Sequence, residues 1–373
     1  MKSSSVYSSD DESCRHPRRA ADLFGHTEAE RTLLDAYNSN RLAHAWMLCG
    51  PKGIGKATLA YRFARFLLAQ SDGAKETGLF ASDLPITKTD SLFVDSKAPV
   101  FGRVAAGSHA DLMSIERKYD EKKGKFKNEI IVDDIRRIAN FFSLSAAEGG
   151  WRVIIIDSAD ELNSNAANAL LKVLEEPPTS AILLLISHNY RCLLPTIRSR
   201  CRKLVLSTLT EDAVTELLLK NHPEMLLSDA SFLAHLSDGS IGRALDLEEE
   251  GGLQLYRDIF SLLDTLPNLN VVALHTLAGK LGRVGGDNAF HTFCDLILGW
   301  LGRFILFATK GKKGVDTKET HLYERLLYVT PLASWLEVWD KISNLLSRTD
   351  PINMDRRQII ISIFLLLEKT VQV

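Results

Sequence analysis

Seven residues constrain this chain more than any others. Gly50-Pro51-Lys52-Gly53-Ile54-Gly55-Lys56 follows the short apolar run His44–Cys49 and opens Lys56–Gln70, where Leu59, Phe63, Phe66 and Leu67 recur at helical spacing. Strand, glycine loop and helix, in that order, make up a phosphate-binding unit. Glycines let backbone N–H groups close around phosphate oxygens, and the helix N-terminus adds a favourable dipole. Gly50, Gly53 and Gly55 are therefore candidate backbone ligands, and Lys56 is the candidate cation for the outer phosphates. A glycine turn without a ligand is the plainer alternative, and the loop by itself leaves both open.

The residue after the lysine separates binding from catalysis. A hydrolysing site puts Ser or Thr there to hold Mg²⁺; here it is Ala57, whose methyl group ligates nothing. Thr58 is retained as a candidate binding residue and is a poor substitute, because one step along a helix turns a side chain by about 100°. The acidic half of the site has a matching defect. Val153-Ile154-Ile155-Ile156 has the pattern of a buried parallel strand and delivers Asp157 at its C-terminal end, a candidate binding acid. Taken alone, such an acid is as readily a helix cap or a surface residue. ATPases of this type follow it with a glutamate that orients water; Ser158 stands there instead, and Asp160 and Glu161 are expected to face elsewhere. Hydrolysis by this chain is expected to be weak or absent, with ATP binding left open.

Beyond the loop, Trp151–Asp157, Ala181–Ser187 and Lys203–Leu206 read as further strands. Thr27–Ser39, Ile135–Phe142 and Asn165–Leu174 read as helices, the last stopped by Pro177-Pro178. Strands alternating with helices predict a parallel sheet covered on both faces. Residues 71–107 read as a loop-rich excursion, and Lys118–Lys127 as a charged hairpin tip or loop. After about residue 207 no strand is legible. Glu211–Lys220, Asp229–Leu236 and Ile241–Glu250 read as short helices. Gly252–Val373 is helical throughout, broken near Asn268, Gly285-Gly286, Lys310–Gly314 and Pro351. The expected organisation is a disordered polar tail over 1–20, an α/β domain over 21–206, a small helical domain over 207–250 and an all-α domain over 251–373.

A net charge of -2 argues against a chain that binds DNA by electrostatics as a whole. Lys122, Lys123, Lys125 and Lys127 cluster around Gly124 and Phe126, but a solvated hairpin is the preferred reading over a phosphate contact. The five cysteines are scattered and form no CxxC pair, which fits a reducing cytoplasm and argues against disulfides or zinc. His109 and Asp111 lack further ligands, so no metal is expected there. The polar start Met1–Asp11 is not a secretory signal, and the longest apolar runs are strand-length, so no membrane partner is expected. No acidic pair of the kind two metal ions need is visible.

Four segments together resemble bacterial clamp-loader subunits of the AAA+ class. His44-Ala45-Trp46 leads into the glycine loop; Asn168-Ala169-Leu170-Leu171-Lys172-Val173-Leu174-Glu175-Glu176-Pro177-Pro178 is similar to a signature of the gamma/tau and delta-prime types. Leu194-Pro195-Thr196-Ile197-Arg198-Ser199-Arg200-Cys201 contains the Ser-Arg-Cys motif, and Gly239-Ser240-Ile241-Gly242-Arg243-Ala244-Leu245 resembles the lid segment. The resemblance covers most of residues 20–250. It implies an AAA+ domain, a helical lid over 207–250 and a helical collar over 251–373. Ala57 and Ser158 place it nearer the delta-prime type; the active gamma/tau motor is the alternative.

The resemblance further implies a subunit of the DNA polymerase III holoenzyme in the cytoplasm. Its partners would be gamma/tau and delta subunits, with the sliding clamp and primed DNA met through the complex. In this family the arginine of Ser-Arg-Cys reaches ATP held by a neighbour, which assigns Arg200 as an arginine finger. The bland alternative makes Arg198, Arg200, Arg202 and Lys203 a solvated basic edge. The family's cysteine-ligated zinc module is not expected, since no cysteine lies between Cys49 and Cys192. Gly242 occupies the slot of the lid arginine, with Arg243 one place later. Ser187 and His188 stand where the family reads the γ-phosphate, with His188 expected as a hydrogen-bonded structural residue. Glu175 and Glu176 end their helix near the surface with no assigned chemistry. Leu296, Leu298, Trp300, Leu301 and Phe304 fit a collar face or an internal core equally.

Overall fold

The computed structural model describes residues 16–76, 89–120, 125–282, 287–311, 317–347 and 355–372. The chain divides into two compact units, one running to Val214 and including Gly239–Gly242, the other comprising Thr215–Asp238 and Arg243–Val373.

The first unit is built on a parallel sheet. Five of its strands are β1 (Ala45–Cys49), β2 (Leu112–Glu116), β5 (Arg152–Asp157), β6 (Ala181–Ser187) and β7 (Arg202–Val205), in the order β2-β5-β6-β1-β7. Short strands β3 (Tyr119–Asp120) and β4 (Lys125–Phe126) pair antiparallel as a separate hairpin. β1 and β6 are buried along their whole length, as continuous apolar runs in a parallel sheet must be. Alternation sorts the side chains between two layers. Trp46, Leu48, Val153, Ile155 and Leu184 pack under helix α2 (Lys56–Glu76) through Leu59, Phe63, Phe66 and Leu67. Met47, Ile154, Ile156, Leu183 and Leu185 meet α4 (Val132–Ser143) and α5 (Ser164–Glu175) through Ile135, Ile138, Ala166, Leu170 and Leu174. The strand ends stay in register, Cys49 opposite Ser187, Ile186 opposite Asp157, and Asp157 opposite Glu116. One edge of the sheet therefore carries the groups that matter.

Three readings of this unit are corrected. β2 was not legible, leaving four expected strands where there are five; as an edge strand it mixes half-buried Leu112 and Met113, buried Ile115 and exposed Ser114 and Glu116. The excursion at 71–107 is more ordered than expected. α2 continues to Glu76, and α3 (Pro99–Ala105) buries Val100, Phe101 and Val104, with Leu92 buried nearby; residues 77–88 lie outside the described residues. The ordered chain also begins inside the expected tail. Pro17–Arg19 forms a 3-10 turn, and buried Arg65 donates to the carbonyls of Arg18 at 2.9 Å and Ala20 at 2.7 Å. The rest of that tail, residues 1–15, and Lys122, Lys123 and Gly124 lie outside the described residues.

Helix α1 (Thr27–Asn38) precedes β1 in the first unit, and the short α6 (Pro195–Arg198) precedes β7. Helix α7 (Glu211–Asn221) runs across the unit boundary. The second unit continues with α8 (Leu227–Leu236) and α9 (Ile241–Glu249), whose first two residues belong to the first unit. It then runs through α10 (Gly252–Asp264), α11 (Val271–Leu281), α12 (Asp287–Lys310), α13 (Thr317–Val329), α14 (Leu332–Ser347) and α15 (Arg356–Gln372). The break at Thr330-Pro331 was not anticipated; proline cannot donate the hydrogen bond that would continue α13. Contrary to the expectation of strand-length apolar runs only, Asn288–Lys310 is long and apolar enough to cross a membrane by length and composition.

That helix buries a stripe instead. Phe304 stacks with Trp300, 5.7 Å between centroids, and meets Tyr323 at 5.2 Å and Trp335 at 4.8 Å. Leu296, Trp300, Leu301 and Phe304 are thus core, and Leu298 is half-buried. Beside this core lies buried Glu319, which accepts from Tyr323 Oη at 3.3 Å and sits 3.6 Å from Arg303 and 3.7 Å from His235. Truncating the central ring, Phe304→Ala, should destabilise the helical unit by about 3–5 kcal/mol. Urea unfolding followed by circular dichroism measures this, and a loss near zero would contradict the packing described.

Candidate functional site

The phosphate loop takes its shape from positions where only glycine fits. Gly50 has φ 153°, and a side chain there would lie 2.5 Å from the Leu206 carbonyl oxygen. Gly53 and Gly55 follow with φ of 76° and 104°, so the motif is a backbone requirement in this fold. Buried His26 braces the loop, its Nε2 lying 2.6 Å from the Ile54 carbonyl.

Lys56 begins α2 and is buried. Its Nζ donates to the Gly50 carbonyl at 2.7 Å and to the Pro51 carbonyl, both in its own loop. Burial pushes its pKa down to about 8, while Asp157 and Asp160 hold it up. The outer face of the loop is met by residues 240–242. Ser240 Oγ donates to the Lys52 carbonyl at 2.9 Å, and Gly242 N–H donates to the Gly53 carbonyl at 2.9 Å. A side chain at Gly242 would begin 2.8 Å from Gly53 Cα, so the residue in the lid-arginine slot has to be glycine here. The next residue, Arg243, donates to Asp238 at 2.9 Å and to the Asp295 carbonyl at 3.1 Å, and its guanidinium lies over Gly299.

The acidic half lies at the end of β5. Burial raises the Asp157 carboxyl to about 6; Glu116 across the register adds to this and Lys56 opposes it. Glu116 is held by His16 at 3.6 Å, which brings the start of the described chain to this edge. Ser158, in the glutamate position, is buried with its hydroxyl unpartnered. Asp160 does not face away as expected. Its carboxylate accepts from Ser187 Oγ at 2.8 Å, from Asn189 N–H at 3.4 Å and from His188 N–H, and so fastens the end of β6. Glu161 pairs with Arg117 at 2.8 Å. Burial, with Lys56 next, lowers His188 to about 4, so its ring is neutral near pH 7. His188 was expected to be a hydrogen-bonded residue; its backbone N–H donates to Asp160, while the buried Nδ1 of its ring has no partner. Ala57 and Thr58 are half-buried in the first turn of α2.

Among the described residues no group of three His, Cys, Asp or Glu side chains is placed to hold a metal ion. His109 and Asp111 build a turn. The Asp111 carboxylate accepts from the N–H groups of Ala147 at 2.9 Å and Glu148 at 3.0 Å, and His109 Nδ1 accepts from Asp111 N–H at 3.2 Å.

The basic edge divides by partner. Arg198 lies over the Tyr190 ring at 5.1 Å, Lys203 over the same ring at 4.1 Å, and Arg202 over Trp46 at 4.7 Å. Arg200 follows α6 and turns instead to a carboxylate. Its Nη2 donates to Glu175 Oε1 at 2.7 Å and its Nη1 to the Thr196 carbonyl at 3.1 Å. Two signature segments of the sequence thus meet in one ion pair, which sequence reasoning missed because 25 residues separate its partners.

A glycine loop between a central parallel strand and a helix, with an acid at the end of a nearby strand, defines a P-loop domain of the AAA+ class. The sequence profile of the family described as "DNA polymerase III, delta subunit" matches residues 25–210. The delta' subunit of DNA polymerase III from Pseudomonas aeruginosa is 34% identical over 259 residues, covering 69% of this chain and 72% of that protein. The Escherichia coli K12 delta' subunit is 31% identical over 218 residues, 58% of this chain and 57% of that protein. The Bacillus subtilis tau subunit is 26% identical over 288 residues, 75% of this chain and 46% of that longer protein. The chain belongs to the delta-prime family of DNA polymerase III clamp-loader subunits.

The raised Asp157 carboxyl makes a pH prediction. Its folded value of about 6 lies above the ordinary 3.8, so between the two the folded chain holds the extra proton. The unfolded state binds fewer protons there, and this group's contribution falls as pH rises through that window, reaching its most unfavourable above about 6. Asp157→Asn should therefore raise unfolding free energy by about 1–3 kcal/mol at about pH 8, with the gain shrinking towards about pH 4. Urea titrations at the two ends of this window measure it; a gain that grew on acidification would contradict the burial account.

Proposed function

We propose that this chain is the non-motor subunit of a clamp loader, offering Arg200 to ATP held by a neighbouring gamma/tau subunit while turning over no ATP itself. The observation that carries the first half is Lys56. Its ammonium is buried on the Gly50 and Pro51 carbonyls, the direction opposite to a γ-phosphate's demand. A Mg²⁺-nucleotide in working form does not fit the residues present. Ala57 offers the metal no oxygen, Ser158 supplies no base, and residues 240–242 are bonded to the outside of the loop. ATP entering this loop would have to displace two carbonyls from Lys56, so weak binding without turnover is the reading these contacts support.

Arg200 carries the second half. It is half-exposed, on a short segment between buried Ile197 and buried Cys201, with its fork held by one surface carboxylate. A planar guanidinium offered this way suits the charge of a γ-phosphate. The partners of the reading are gamma/tau and delta subunits, with the sliding clamp and primed DNA engaged by the assembly in the cytoplasm. Residues 207–250 serve as the lid and 251–373 as the collar. The helical unit's stripe at Trp300 and Phe304 is used internally, so a collar interface would draw on other residues.

The test is a reconstituted complex carrying Arg200→Ala. DNA-dependent ATP turnover should fall about three- to tenfold, since one of several sites loses its trans cation, while assembly by size exclusion is unchanged. Unchanged turnover in an intact complex would reduce the chain to scaffolding. Robust hydrolysis by the isolated chain would restore the motor reading.

A further inference from the structure

The structure assigns Glu175 as a latch: a carboxylate that holds Arg200 against its own subunit until the γ-phosphate of a neighbour's nucleotide takes the carboxylate's place. This deepens the arginine reading above and rests on it. Both terminal nitrogens of Arg200 are engaged, Nη2 by Glu175 at 2.7 Å and Nη1 by the Thr196 carbonyl at 3.1 Å. A phosphate oxygen bound by this fork would need Nη2, so carboxylate and phosphate compete for that donor. A carboxylate is a close chemical stand-in for a phosphate edge, unlike the aromatic faces that hold Arg198, Arg202 and Lys203.

The position of Glu175 points the same way. It is the last residue of α5, and Glu176 is the cap, so two acids sit at the negative end of the helix dipole with Lys172 the basic residue in that turn. Such a placement is unfavourable to the helix by a few tenths of a kcal/mol or more. An interaction outside the helix has to offset it, and Arg200 is that interaction. The backbones on both sides are fixed. α5 is anchored in the core by Leu170 and Leu174, and Arg200 lies between buried Ile197 and Cys201. Only the side chains need to move. The pair is solvent-accessible, 36% for Arg200 and 49% for Glu175, so it is weak enough to exchange.

The experiment is ATP turnover by the reconstituted complex as a function of ATP concentration, with wild type, Glu175→Gln, Arg200→Ala and the double variant. Glu175→Gln keeps the shape and removes the charge. A latch predicts that the half-saturating ATP concentration falls about two- to fivefold, as expected for loss of an exposed ion pair, with the maximal rate unchanged. It also predicts that this shift vanishes in the Arg200→Ala background. A half-saturating concentration that stays the same or rises, while Arg200→Ala still lowers turnover, overturns the latch and leaves the arginine reading standing. A shift that persists in the double variant also overturns it, because Glu175 would then act on something else. If Arg200→Ala leaves turnover untouched, the arginine reading fails first and the latch with it.

Discussion

A buried ammonium needs oxygen partners, and the phosphate loop of this chain is organised by that need. Lys56 is desolvated under the sheet edge, and an unpartnered cation there would be costly. In a working loop the partners are phosphate oxygens. Here they are the carbonyls of Gly50 and Pro51, which point inward because the glycine backbone allows it. The acid across the site shows the other side of the same arrangement. Asp157 lacks a metal-holding hydroxyl at position 57 and sits beside Glu116, so burial pushes its pKa up much as burial pushes that of Lys56 down. The loop meets the lysine's need for acceptors from its own backbone, while the shifts of Lys56 and Asp157 show that burial is only partly offset.

The outer contacts follow from this closed shape. Residues 239–242 pack with the first unit although the chain on either side of them does not. Gly239 has φ 76°, and Gly242 comes close enough to Gly53 that neither position tolerates a side chain without backbone movement. A bare α-carbon at position 242 is what permits the hydrogen bond from Gly242 to Gly53, and Arg243 serves the helical unit through Asp238 and Asp295.

How much of this the sequence disclosed depended on where each signal was written. β5, β6 and β1 are unbroken apolar runs, buried on both faces, and their pattern is local. β2 is an edge strand carrying Ser114 and Glu116, and nothing in five mixed residues sets it apart from a loop. The short α3 hid for a similar reason, its three buried residues lying within seven. The glycine loop, Asp157 and Arg200 were legible as motifs. His26 was not, and Ser240 and Glu175 were legible only as members of resembling segments, since each of the three contacts joins partners 28, 188 or 25 residues apart. Such contacts leave no periodicity, and only the folded chain brings them together.

The two cations that the sequence motifs single out, Lys56 and Arg200, end in contrasting states. Lys56 is buried on the Gly50 and Pro51 carbonyls of its own loop. Arg200 is half-exposed and is held by the Glu175 carboxylate through Nη2 and by the Thr196 carbonyl through Nη1. Moving the first means moving a desolvated ammonium off two carbonyls, whereas the second's ion pair is open to solvent and worth at most about 1 kcal/mol. A chain that had merely decayed from a motor would be expected to lose both functions with equal indifference to geometry. The proposed division of labour, no turnover at the chain's own loop and a cation offered to a neighbour, draws its support from this contrast, since the side chain nearer solvent is the one that exchanges partners at lower cost.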